Sequence, residues 1–153
     1  MRIAVGSDHA GYSLKEAVIR FLRSEHADYR DFGAPSAERV DYPDIGAEVA
    51  EAVANDEFDR GILVCGTGIG MSITANKVPG IRAALCADSY CAKMSRKHND
   101  ANVLALGSRI TNEKTALDIV RTWLETDYPG AARHANRIAK IREVEEKFNA
   151  GGR

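Results

Sequence analysis

The chain has 153 residues, of which 44% are hydrophobic and 28% are charged. This length fits one domain covering residues 1–153, and the composition excludes disordered and fibrous proteins. The net charge of -1 provides no general attraction for nucleic acid. The apolar runs are too short to span a membrane and no signal-peptide pattern opens the chain, so we expect a cytoplasmic protein.

Short apolar runs alternate with helix-like segments along the whole chain. Strands are predicted at residues 3–5, 27–32, 61–65, 81–86 and 103–106. Because the clear runs are apolar throughout, we expect parallel strands that are buried on both faces of a sheet.

Apolar residues at helical spacing predict helices at residues 14–22, 45–53 and 117–124, the last with Asn112 as its N-cap. This alternation indicates an α/β fold: a doubly wound, mainly parallel five-stranded sheet with helices on both faces. Such sheets bind ligands beyond the carboxyl ends of their strands. A last helix carries an apolar stripe at residues 138–148, after the sheet is complete, and we expect it to pack on a partner subunit.

The first strand ends in the sequence GSDHAG at residues 6–11. Asp and Gly are common where a strand turns into a helix, so Asp8 has a simple interpretation as a cap. His9 adds an imidazole at the edge where ligands bind. The histidine favours a functional turn over a purely structural one.

The strand at residues 61–65 ends in Cys65 and is followed by the sequence GTGIG at residues 66–70. Glycines allow close backbone approach, and free N–H groups at the start of a helix attract anions. Met71 stands where a dinucleotide-binding motif needs its last glycine, and no GK[ST] phosphate loop is present. Nicotinamide and ATP chemistry therefore lose support.

The chain has three cysteines, and none forms a CxxC pair, so we expect free thiols and no zinc site. Cys65 is either a small buried hydrophobic residue or a stabilised thiolate with a catalytic role. Cys86 and Cys91 lack a glycine-rich loop and are interpreted as packing residues.

Arginines provide a candidate phosphate clamp. Arg133 and Arg137 are four residues apart and share one face of the last helix, where they either grip a phosphate or form a solvated surface. Arg109 follows the last strand and lies on the ligand edge.

His98 and Asn99 come between a helix and the last strand, so we expect them at the amino edge of the sheet, away from Cys65 of the same chain. If His98 and Cys65 serve one site, His98 must come from a neighbouring subunit. Otherwise His98 is a capping residue.

At these residues the sequence resembles the family of type B ribose-5-phosphate isomerases and galactose-6-phosphate isomerase subunits, over nearly the whole chain. The motifs that carry the resemblance are residues 6–11 (GSDHAG), 41–44 (DYPD), 65–70 (CGTGIG), 75–77 (ANK), 98–104 (HNDANVL), 107–109 (GSR), and Arg133-His134 with Arg137. The resemblance implies a homodimer or dimer of dimers that interconverts an aldose phosphate and its ketose without a metal or cofactor.

The resemblance also implies a role for each matching residue. Cys65 is the base that moves a proton between C1 and C2, and His98 assists ring opening. The substrate-binding positions are Asp8, His9, Gly66, Thr67, Gly68, Ile69, Gly70 and Asn99, with Arg109, Arg133 and Arg137 on the phosphate. One branch of the family has Glu at the position of Met71 and lacks the cysteine, so this chain fits the thiol branch.

Three functions stay open at this point. The first is an isomerase of ribose 5-phosphate and ribulose 5-phosphate that works through an enediolate. The second is an isomerase of a six-carbon substrate, allose 6-phosphate or galactose 6-phosphate. The third is a noncatalytic module that binds phosphate or a nucleotide, which Cys65 and His98 argue against because binding alone needs neither. In each case the partner is a small molecule, not a nucleic acid or a membrane.

Overall fold

The computed structural model describes residues 1–149, and within them five strands alternate with helices in a single parallel sheet. The strands are β1 (Arg2–Ser7), β2 (Asp28–Asp31), β3 (Arg60–Cys65), β4 (Ala83–Leu85) and β5 (Val103–Gly107). The helices are α1 (Tyr12–Ser24), α2 (Tyr42–Ala54), α3 (Ile69–Ala75), α4 (Ser89–Asn99), α5 (Glu113–Glu125) and α6 (Ala132–Asn149). The predicted fold class is confirmed.

The strand order is β2-β1-β3-β5-β4. β2 lies next to β1 on one side, and β3 lies next to β1 on the other. The direction in which successive strands are added to the sheet therefore reverses between β1 and β3. Ser7 pairs with Val64 in this parallel ladder. The loops that follow β1 and β3 therefore lie side by side at the switch point, which is where open α/β sheets bind ligands.

Two apolar cores cover the two faces of the sheet. Ile62 and Val64 of β3 pack with α1, α4 and α5, whereas Leu63 and Cys65 pack with α2 and α3. Alternate residues of a strand point to opposite faces, so a strand that is buried on both faces must be apolar at every position. This explains why the strand runs were readable in the sequence.

The cap of α5 agrees with its prediction, whereas the burial of α6 differs from that of the other helices. Asn112 caps α5 as predicted, because its side chain accepts a hydrogen bond from Thr115 N at 2.9 Å. In α6, by contrast, His134 is the single buried residue between Ala132 and Asn149. Val144 and Phe148 of the apolar stripe are 59% and 71% exposed. The packing of α6 on a partner stays a prediction.

The three cysteines are free thiols. Cys86 is buried as predicted, and burial raises its pKa to about 11. The interpretation of Cys91 as a packing residue was wrong, because this side chain is exposed and its Sγ lies 3.7 Å from Asp88 Oδ2. Ala92 and Ser95 form the buried face of α4, and Cys91 lies beside that face.

Across residues 1–149, none of the helices combines the length and the apolarity needed to cross a membrane.

Candidate active site

The turn after β1 holds Asp8 and His9 at the carboxyl edge of the sheet. Asp8 is 7% exposed, and its Oδ1 accepts a hydrogen bond from Gly11 N at 2.9 Å. Gly11 packs directly on β3, since a Cβ atom there would collide with Val64 O. Asp8 therefore does cap this turn, which fixes its carboxylate beside the end of β3 and leaves Oδ2 for a ligand.

His9 is half-buried beside the loop that connects β2 to α2. Its Nδ1 lies 3.4 Å from Val40 N and 3.3 Å from Val40 O. Because Nδ1 faces the backbone, Nε2 is the ring nitrogen that is available to a ligand.

A buried lysine that the sequence analysis did not single out supports this loop. Lys15 is fully buried, and its Nζ lies 2.6 Å from Asp31 Oδ2 and 2.8 Å from Ala34 O. Ala34 N in turn donates to Ser7 O at 2.7 Å. The signal in the sequence was helical spacing, because Lys15 shares a face with Val18, Ile19 and Leu22, which are all buried.

Cys65 ends β3 and is 4% exposed. Its Sγ accepts a hydrogen bond from Gly68 N at 3.1 Å, and Ile69 N donates to Thr67 Oγ1 at 3.3 Å. The first four N–H groups of a helix have no partner within the helix. Two of these four groups at the start of α3 are thus occupied, which leaves the N–H groups of Gly70 and Met71 to meet a ligand.

Part of the glycine pattern in this loop serves the fold. Gly68 has a φ of +78°, and a Cβ atom there would lie 2.5 Å from Leu85 Cδ1. A Cβ atom at Gly70 would lie 2.6 Å from the ring of Tyr42, so this tyrosine covers the loop. Sequence reasoning gave Tyr42 no role, although it lies in the DYPD motif at residues 41–44.

Arg109 joins the same edge through the loop after β5. Ser108 N donates to Cys65 O and Arg109 N to Gly66 O, each at 2.9 Å. A Cβ atom at Gly66 would lie 3.2 Å from Arg109 Nη1, so the guanidinium group lies over the glycine loop. The structure therefore brings together Asp8, His9, Cys65, the glycine loop and Arg109.

The remaining candidates lie at the amino edge. His98 and Asn99 form the last turn of α4, which two arginines hold in place: Arg82 Nε donates to Asn99 O at 3.0 Å, and Arg96 Nη1 donates to Ala101 O at 2.6 Å. These guanidinium groups satisfy backbone carbonyls at the helix end. The side chain of His98 is therefore not needed as a cap.

α6 begins next to His98. The rings of His98 and His134 are stacked, with centroids 4.3 Å apart and planes 16° apart. Arg133 Nε lies 3.2 Å from His134 Nε2, while Arg133 and Arg137 are both exposed. Burial lowers the pKa of His134, and the neighbouring His98 and arginines lower it further.

Two groups of candidates thus lie at opposite edges of one sheet, as the sequence analysis predicted for His98 and Cys65. The five residues of β5 span roughly 16 Å at about 3.3 Å per residue, and β5 lies between the end of α4 and the loop that carries Arg109. This separation is far beyond hydrogen-bond reach. Within one chain, His98 and Asn99 therefore cannot contact Cys65, and Arg133 lies at the same distant edge, next to His134, which stacks on His98.

The model of the ribose/galactose isomerase family matches residues 3–141. The chain belongs to this family. Among curated relatives, ribose-5-phosphate isomerase B of Escherichia coli is 47% identical, over 97% of this chain and 99% of the relative. D-erythrulose-4-phosphate isomerase of Pectobacterium atrosepticum is 40% identical, over 92% of this chain and 93% of the relative. The solved structure of Clostridium thermocellum ribose-5-phosphate isomerase B is 57% identical with a TM-score of 0.95, and the match covers 97% of this chain and 99% of that one.

Two features of this ribose/galactose isomerase family member bear on its chemistry. Met71 is fully buried beneath the glycine loop, where its sulfur packs near Gly46. Within residues 1–149, no group of three or more His, Cys, Asp or Glu side chains is arranged to hold a metal ion. At the carboxyl edge the thiol of Cys65 lies against the glycine loop, with its Sγ 3.1 Å from Gly68 N.

Proposed function

We propose that this protein is a ribose-5-phosphate isomerase that interconverts ribose 5-phosphate and ribulose 5-phosphate. The observation that carries the proposal is the position of Cys65 Sγ, at the end of β3 and 3.1 Å from Gly68 N, in a member of this isomerase family. Relatives that are 47% and 57% identical over nearly their whole length carry this enzyme's name, which supports ribose 5-phosphate as substrate.

The reaction moves one proton between adjacent carbons. The thiolate of Cys65 takes the proton from C2 of the open-chain aldose, which forms a thiol and an enediolate with negative charge on the oxygen at C1. The proton of the C2 hydroxyl group then moves to the oxygen at C1, which places the negative charge on the oxygen at C2. The thiol returns its proton to C1, the carbonyl forms at C2, and the thiolate is regenerated. A positioned general base contributes about 10²–10⁴-fold to such a step.

The glycine loop stabilises the charge that develops on the substrate oxygen. The N–H groups of Gly70 and Met71 point from the start of α3 and lack intrahelical acceptors. Donors that are fixed before the reaction contribute about 3–4 kcal/mol each to the transition state in comparable sites. The Gly68 N–H group contacts the sulfur itself, which is the kind of donor that a thiolate requires.

A second copy of the chain completes the site. In this proposal His98 of the partner subunit assists opening of the sugar ring, and Asn99 of the partner subunit binds the sugar. The phosphate is held by His9 and Arg109 of one chain together with Arg133 and Arg137 of the partner subunit. The minimal assembly is a homodimer, and a dimer of dimers keeps the same paired sites.

Exposed apolar side chains support this pairing. Leu85 and Ile110, which flank the glycine loop, are 42% and 58% exposed, and Ile69 is 52% exposed. At the other edge, a groove of about 700 Å³ between α6 and the edge strand β4 is lined by apolar residues such as Ile141 and Val144 together with polar ones such as Arg82 and Glu145. Apolar surface of this kind beside both half-sites is typical of an interface between subunits.

The test is a coupled assay in which ribose 5-phosphate, erythrulose 4-phosphate, allose 6-phosphate and galactose 6-phosphate are offered separately. We expect the highest kcat/KM with ribose 5-phosphate. A higher kcat/KM with a four- or six-carbon substrate would show that the substrate assignment is wrong. Tight binding of sugar phosphates without turnover of any of them would instead indicate a binding module.

A further inference from the structure

His134 stands out because it is buried on a helix that is otherwise exposed or half-buried. Its side chain is 5% exposed, while the neighbours Arg133, Ala135 and Asn136 are exposed. The ring face lies on His98 with a centroid separation of 4.3 Å. The imidazole ring of His134 therefore forms the contact between the last turn of α4 and the first turn of α6.

The second contact of His134 fixes its protonation. Arg133 Nε is always a donor, so His134 Nε2 accepts the hydrogen bond at 3.2 Å and must be unprotonated. The ring is then neutral, with its proton on Nδ1, a buried atom that has no partner within residues 1–149. Burial and the nearby positive charges lower the pKa of His134, which keeps the ring in this neutral form.

We propose that neutral His134 is a positioning residue whose ring face sets the plane of the His98 imidazole and whose Nε2 atom orients the Arg133 guanidinium. The inference rests on the proposed function, in which His98 assists ring opening and Arg133 binds the phosphate. One side chain thereby holds a proton-transfer group and a phosphate-binding group in a fixed relation. Both groups are presented to the partner subunit from the same corner of the sheet.

The two contacts can be separated by substitution. His134→Phe keeps an aromatic face against His98 but removes the acceptor for Arg133. His134→Gln keeps an acceptor oxygen but removes the ring face. Asn136→Ala is the control, because Asn136 is exposed two residues further along α6 and has no role in the proposed site.

The variants should change different kinetic constants. For His134→Phe, we expect KM for ribose 5-phosphate to rise about threefold to tenfold with kcat nearly unchanged, because losing one hydrogen bond typically weakens binding by about this factor. For His134→Gln, we expect kcat with ribose 5-phosphate to fall by a similar factor. Ribulose 5-phosphate cannot close into a furanose ring, so its kcat should stay near the wild-type value in His134→Gln.

A purely structural anchor would not produce this division. Suppose instead that in both variants kcat falls, KM rises and the melting temperature falls to a similar extent. His134 then only stabilises α6, and the proposal is wrong. The proposal is also wrong if both variants stay within twofold of the wild-type protein and of Asn136→Ala.

An NMR measurement separates this proposal from the proposed function. The Nε–H signal of Arg133 should be protected from exchange in the wild-type protein and in His134→Gln, and should lose its protection in His134→Phe. A wild-type protein that is inactive on ribose 5-phosphate would overturn the proposed function, while this signal would still decide whether His134 orients Arg133.

Discussion

The two edges of the sheet carry the candidate residues in different ways. At the carboxyl edge, Cys65 and Arg109 lie on loops that directly follow buried strands and are joined by backbone hydrogen bonds, such as Ser108 N to Cys65 O. At the amino edge, His98 and Arg133 lie on helix ends that side chains hold together, through the stack of His98 on His134. In the proposed function, proton transfer between C1 and C2 takes place at the edge that backbone hydrogen bonds hold together, while ring opening and much of the phosphate binding belong to the edge that side chains hold together.

The largest expected effect comes from the carboxyl edge. Cys65→Ala should lower kcat by at least about 100-fold, because it removes the proposed base from an otherwise unchanged loop. Folding should be preserved, since alanine fills a small apolar position. The measurement is the steady-state isomerisation rate, with circular dichroism as a check of folding.

Cys86→Ala is the matched control for this variant. Burial raises the pKa of Cys86 to about 11, so this thiol stays protonated at neutral pH and cannot replace Cys65 as a base. Its removal should leave the kinetics unchanged. Retention of more than about a tenth of the wild-type rate by Cys65→Ala would contradict the assignment of the base.

The next largest effect is a loss of stability at Lys15, the buried residue that supports the loop after β2 beneath the carboxyl edge. Asp31→Ala removes the 2.6 Å partner of the buried Lys15 ammonium group, which keeps Ala34 O at 2.8 Å and Glu16 Oε1 at 3.6 Å. Because the Asp31 side chain is 34% exposed, we expect the free energy of unfolding to fall by about 1.5–3 kcal/mol, as for a hydrogen bond to a charged group, and not by the larger amount of a fully buried pair.

Removing an exposed partner costs about 1 kcal/mol or less, so Glu25→Ala, which breaks the exposed pair with Arg121, is the control. Urea denaturation measures both. Equal losses would show that Lys15 is solvated and that the loop does not depend on it.

Sequence reasoning succeeded where a residue's position follows from topology. Parallel strands place Asp8, Cys65 and Arg109 at one edge, and the same rule separates His98 from them, so these placements needed no side-chain detail. His134 and Lys15 depend on which side chains meet after the helices pack. A histidine among exposed residues carries little local signal. Helical spacing places Lys15 on the apolar face of α1, but it does not show which groups meet its ammonium. The exposure of Cys91 likewise depends on how α4 packs.

A moderate effect is expected at the amino edge. If Arg137 binds the phosphate, Arg137→Ala should lower kcat/KM for ribose 5-phosphate by about tenfold or more, because a hydrogen bond to a charged group contributes about 1.5–3 kcal/mol. Arg142→Ala is the control on the same helix and should leave the kinetics unchanged. If the two variants behave alike, Arg137 belongs to a solvated face, and His9 and Arg109 hold the phosphate without it.

The smallest expected signal tests whether the two edges meet across a subunit interface. Cys65→Ala lacks a group at the carboxyl edge and His98→Ala lacks one at the amino edge, so a mixed dimer of the two contains one complete site and one doubly defective site. After random subunit exchange of equal amounts, half of the dimers are mixed, and about a quarter of wild-type activity should return.

The control mixes Cys65→Ala with Arg109→Ala, whose defects lie at the same edge, so that no mixed dimer contains a complete site. Activity in this control should not exceed the contribution of the Arg109→Ala protein itself. If verified subunit exchange restores nothing in the first mixture, the two edges do not share a site, and His98 must act outside the isomerisation reaction.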